Sequence, residues 1–152
     1  LTLALPLAGC GDQQSGPPAA TTTGEGMPMP PHPMPAAPAG SVDLSGIERA
    51  PGGRTVAEVF AEKDQLAGQP VTFRGKVVKA NAGIMGKNWL HVRDGSGAEG
   101  TNDLTVTTAA LANVGDTVLV TGAVALDRDF GMGYTYGILI EDATVQVEAP
   151  AP

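Results

Sequence analysis

From residue 71 onward the side chains of this chain repeat with a period of two. Val71, Phe73, Gly75 and Val77 alternate with Thr72, Arg74, Lys76 and Val78. An apolar residue at every second position marks a half-buried strand, because successive side chains leave opposite faces of the pleat. The pattern predicts a first strand over 71–80 and a second from Asn88 to Arg93. In the second, Leu90 and Val92 face inward and Trp89, His91 and Arg93 face outward. Asp94-Gly95-Ser96-Gly97 is a turn, since Asp and Ser bond their own backbone and Gly permits positive φ. Asp103 to Thr107 form a short third strand with Leu104 and Val106 inward. Ala109 to Asn113 allow a helical turn, and Thr117 to Leu126 form a fourth strand. A polar, Gly-rich loop over 127–133 leads into a fifth strand from Tyr134 to Glu141, continued by Thr144 to Val147. Short strands punctuated this closely predict an all-β barrel or sandwich.

One stretch before residue 70 has helical period. Thr55-Val56-Ala57-Glu58 has the form of a capping box, with Thr55 as N-cap and Glu58 three residues on. Val56, Val59, Phe60 and Leu66 fall on one helical face, and Gly68 and Pro70 stop the run. This predicts an amphipathic helix over about 55–67, in an N-terminal region spanning 41–69.

Residues 11–40 show no periodicity and are rich in Gly, Pro, Ala and Thr. Such composition buries too little apolar surface to offset its ordering entropy. The expectation is a polyproline-like tether, with a reach of about 90 Å when extended. Met27, Met29, Met34 and His32 lie in it. Thioethers suit a soft ion such as Cu(I), so His32, Met29 and Met34 are weak metal candidates beside the spacer reading. With a single cysteine the chain can form no internal disulfide, and its fold must rest on an apolar core.

That cysteine carries the first resemblance. Leu7-Ala8-Gly9-Cys10 closes an apolar run too short to span a bilayer and precedes the polar tether. It resembles a bacterial lipobox. The resemblance implies that residues 1–9 are the end of a signal peptide, cleaved before Cys10, and that Cys10 carries lipid. It implies an exported, lipid-anchored protein. Gly11, where an Asp would signal inner-membrane retention, favours the outer membrane, facing the periplasm or the cell surface. The run opens on Leu1 without a basic start, so the leader is expected to continue upstream.

A second resemblance covers residues 70–149. An opening strand with a central glycine (Val71 to Val77), a strand ending in Asp94-Gly95-Ser96-Gly97, and the segment Gly115 to Gly122 together resemble the OB-fold, a five-stranded Greek-key barrel. The stretch Gly75 to His91 is similar to exported bacterial OB-fold proteins described as nucleotide- or nucleic-acid-binding. Such barrels often plug one end with a helix between strands three and four, and residues 108–114 are too short for that. Helix 55–67 is therefore expected to cover a barrel end.

Charge points to a face. Residues 71–93 hold five Lys/Arg and no Asp or Glu, whereas residues 41–152 hold nine Lys/Arg against fourteen Asp/Glu. OB-folds bind on strands two and three and the loops at their rim. Trp89, His91, Arg93, Lys76, Lys87 and Arg74 are thus candidates for an exposed basic and aromatic face that stacks a ring and holds a phosphate. Phe130, in the loop between strands four and five, is a secondary candidate. The competing reading packs Trp89 beneath the 81–87 loop and leaves the cations to solvation. Gly83-Ile84-Met85-Gly86, Gly86-Lys87-Asn88 and Gly131-Met132-Gly133 lack the flanking elements of nucleotide loops and read as turns.

No nucleophile elbow or positioned acid/base pair is present, so the chain is expected to be no enzyme and to need no cofactor. The leading expectation is a binding module for an anionic ligand: nucleotide, nucleic acid or another anionic polymer. An accessory role in metal, haem or cytochrome handling is one alternative. A structural envelope lipoprotein that binds another protein is the other.

Overall fold

A computed structural model of the chain describes residues 41–152. The lipidation expected at Cys10, the leader, the tether and the metal candidates His32, Met29 and Met34 lie outside them. Five strands form one closed ring: β1 (Pro70–Ile84), β2 (Lys87–Arg93), β3 (Leu104–Thr108), β4 (Thr117–Asp129) and β5 (Thr135–Ala149). Their order around the ring is β1-β2-β3-β5-β4, and β4 closes onto β1. Every pairing is antiparallel except β3 with β5. This is the Greek-key order of an OB-fold.

The period-two reading places the core correctly. Val71, Phe73, Val77, Leu90, Val92, Leu104, Val106, Val118 and Val120 fill one interior cluster. Two strands run longer than the sequence pattern indicates. β1 reaches Ile84 and β4 reaches Asp129, so the first three residues of the expected 127–133 loop are strand. β5 is continuous because a bulge near Asp142 (φ 47°) restores its parity. Ala109 to Asn113 form no helical turn; instead the Asn113 N–H donates to the buried Asp116 carboxylate, which also accepts from Ala151 N.

The expected helix is two short ones, α1 (Val56–Ala61) and α2 (Lys63–Leu66), broken at Glu62. The Thr55–Glu58 capping box is complete. Val56, Val59 and Leu66 enter the barrel's own core cluster, and Phe60 packs against it. The helical segment is thus the plug of one barrel end. The Asp94-Gly95-Ser96-Gly97 turn fastens it. Asp94 Oδ2 accepts from Val56 N at 2.8 Å and Ser96 Oγ accepts from Ala57 N at 3.0 Å. The turn between β2 and β3 therefore supplies partners for first-turn amides that a helix cannot satisfy itself.

Both long hairpins turn on a Met-Gly pair, preceded in the second by a further positive-φ glycine, Gly131 (φ 78°). Met85-Gly86 closes β1–β2 with φ 54° and 76°, and Met132-Gly133 closes β4–β5 with φ 55° and 84°. Two positive-φ residues in succession make the type I′ turn that suits a twisted hairpin, and Asn-Gly is its preferred pair. A methionine in the left-handed region costs on the order of 1 kcal/mol.

Candidate functional site

The outward residues of β1 and β2 form the candidate face. Lys76 lies opposite Arg93, and Lys79 opposite His91. The second pairing depends on a bulge: between Val77↔Val92 and Lys79↔His91, β1 advances two residues and β2 one. Val78 is the extra residue. In a regular strand with no bulge, Lys79 would carry the parity of Val77 and point into the core. Bulges commonly re-aim a side chain in this manner beside functional sites.

Lys76 and Arg93 therefore stand as like charges across one strand boundary, with Lys79 and His91 beside them, an arrangement that destabilises a sheet unless something counters it. Asp103, at the entrance to β3, counters part of it. Its carboxylate accepts from His91 Nδ1 at 2.8 Å and from Arg93 Nε at 2.9 Å. Burial pushes the Asp103 carboxyl up, but the hydrogen bonds and charges of His91 and Arg93 outweigh it and hold it below the usual aspartate range. The carboxylate cannot donate, so Nδ1 carries the proton, and Nε2 makes no hydrogen bond among the described residues. Lys76 Nζ donates to the Asp43 main-chain oxygen at 2.6 Å. Lys79 makes no ion pair among the described residues.

A pH dependence follows. A carboxyl with a lowered folded pKa stabilises the fold above its unfolded value of about 3.9, and that stability is lost as pH falls through the folded value. Asp103→Asn is expected to lower the Tm at neutral pH. The gap to the parent protein should close as both are acidified, which a pH series of melting curves measures.

Other candidates are dispersed. Arg74 is held by Glu148 and by the main-chain oxygen of Glu48. The Arg74 hydrogen bond lowers Glu148, and Glu148 in turn raises the guanidinium. Lys87 pairs with Asp142. Three of the five cations of the basic run in sequence are thus paired with acids: Arg74 with Glu148, Lys87 with Asp142 and Arg93 with Asp103.

The exposed indole expected at Trp89 is corrected. Trp89 does leave the outer face of β2, but it is only 6% exposed. Phe130 lies T-shaped against it with ring centres 5.1 Å apart, and Tyr136 lies at 5.4 Å. Its Nε1–H donates to Ile84 O at 3.0 Å. The β4–β5 hairpin, longer than the sequence indicates, brings Phe130 and Tyr136 over the indole. Thr107, its partner on β3, and Leu139 on β5 share this outward parity and are also buried. Burial, with a smaller effect of Tyr134, raises the Tyr136 phenol. Trp89 is thus a packing residue beside the face, and Phe130 is its cover. Sequence reading singled out neither Lys79 nor Asp103 for the site. Neither the bulge nor the Asp103 pairings have a local sequence signal. Among the described residues, no group of three or more His, Cys, Asp or Glu is placed to hold a metal ion.

No family model and no curated protein matches the chain. A solved structure of asparaginyl-tRNA synthetase from Pyrococcus horikoshii, complexed with asparaginyl-adenylate, is similar over 57% of this chain and 20% of that one. The identity is 18% and the TM-score 0.44. The match spans about a fifth of that enzyme's length.

Proposed function

We propose that the barrel is a non-catalytic binding module that holds an anionic ligand on the outer face of β1 and β2. A nucleotide or single-stranded nucleic acid is the class that the sequence resemblance suggests. The observation that supports this is the stripe of Lys76, Arg93, Lys79 and His91, with Lys76 and Arg93 as directly opposed like charges, in a domain of net negative charge. Stability alone does not favour that placement. An anion between the pairs relieves it. Asp103 fixes two of the four side chains in advance, which lowers the ordering cost of binding. His91 Nε2, which makes no hydrogen bond among the described residues, is placed to accept from a donor group of the ligand. In this reading lipid on Cys10 holds the module at a membrane of the exported compartment.

The test is anisotropy of a labelled single-stranded oligo-dT with the parent protein and Lys79→Ala. Binding is expected at about 20 mM salt and loss of it near 200 mM, with the log–log salt slope reduced by about 0.7 in the variant. Absence of binding at low salt, to oligonucleotide and free nucleotide alike, would discard the nucleotide class.

A further inference from the structure

Both hairpin tips carry exposed apolar side chains. Met85 is 65% exposed and Met132 88%, and Ile84 and Tyr134 beside them are about half exposed. The two tips flank one aromatic cluster. The Trp89 indole is bonded to Ile84 O of the first hairpin and packs on Phe130 and Tyr136, which bracket the second turn. We propose that the paired Met85 and Met132 turns are a docking surface for a partner protein, one offering an apolar pocket with a Lys/Arg rim.

Three observations carry this. First, methionine occupies the left-handed position of both turns, where Asn would hold the same backbone with less strain. A strained conformation repeated at two neighbouring tips calls for a reason other than folding. Second, neither methionine belongs to the barrel core or packs against it, so burial does not supply that reason. An unbranched thioether side chain fits itself to a partner's shape, which suits protein recognition. Third, the surrounding charge is acidic. Asp127 and Asp129 lie exposed on the second hairpin, and Asp142 and Glu141 stand where Lys87 and Arg128 reach them. Asp127 and Asp129 outnumber Arg128 by the second tip, and Asp142 offsets Lys87 beside the first. That balance complements a cationic rim and disfavours an anionic lipid surface. The inference stands apart from the anion-binding stripe.

The experiment uses the full chain and the double variant Met85→Asn/Met132→Asn. The variant is expected to melt at or above the parent temperature, because Asn-Gly suits both turns. A photoreactive p-benzoylphenylalanine in place of Tyr134, in the cells that make the protein, is expected to yield a discrete adduct. The captured protein, purified, should bind the parent chain and bind the double variant at least about tenfold more weakly. Raised salt should weaken the parent interaction. A lowered melting temperature in the variant overturns the proposal, since the methionines would then serve packing. So does the absence of an adduct, or an affinity the variant leaves unchanged. Co-sedimentation with phosphatidylcholine vesicles, with or without phosphatidylglycerol, that the variant abolishes overturns it in favour of a lipid surface.

Discussion

A protein lacking residues 41–68 is expected to give no cooperative melting transition. These residues carry the plug, and Val56, Val59 and Leu66 sit inside the barrel's own core cluster. Burying three such side chains contributes roughly 5–9 kcal/mol. A domain of this size is stable by about 5–15 kcal/mol in total. The truncation also strips the Asp94 and Ser96 acceptors of their amide partners and opens one end of the core to water. Val59→Asp in the full chain makes the same point without altering length, because it places a charge where Val59 is fully buried. Both proteins should show collapsed near-ultraviolet signal and exposed apolar surface. A truncated protein with the parent melting temperature would show that the barrel closes without its plug.

The second large effect is at Gly75. A Cβ there would stand 2.6 Å from Val92 Cγ1 and 2.7 Å from the Arg93 main-chain oxygen. The valine can shift, but the oxygen belongs to the partner strand. Gly75→Ala must therefore part β1 from β2 beneath the cationic stripe. The expected loss is about 3 kcal/mol, which corresponds to a fall in Tm of roughly 10–20 °C. Gly137→Ala is the control. Nothing lies within 4 Å of a Cβ at Gly137, so that change should be neutral or slightly stabilising. Equal melting temperatures for the two variants would refute the close-contact argument.

The strands and the plug were legible because each is written in a local period. Phe73 and Val77, or Leu90 and Val92, announce their face by alternation. Thr55 and Glu58 announce the helix start within four residues. The break at Glu62 was not legible, because the apolar stripe runs through it. The candidate face was legible only in part. His91, Arg93 and Lys76 were placed on the outer surface by parity, and the structure keeps them there. Lys79 needed the Val78 bulge, whose extra residue reverses parity without any turn residue to mark it. Trp89 was misjudged because its burial is decided by Phe130 and Tyr136, some forty residues away, on a hairpin whose length no local pattern fixed. Distance hid two of the acids as well: Asp142 and Glu148, 55 and 74 residues from Lys87 and Arg74, meet them only after the ring closes.

That closure also governs how the chain must be made. Phe73 on β1 pairs with Val120 on β4, and Val106 on β3 pairs with Ile140 on β5. Until the last two strands are present, β1 and β3 each show a row of unsatisfied amides and carbonyls to their surroundings. Such rows recruit strands from other molecules. A chain interrupted before Val120 is therefore not a smaller working domain but a seed for aggregation, and safe folding waits on the last two strands, from Thr117 onward.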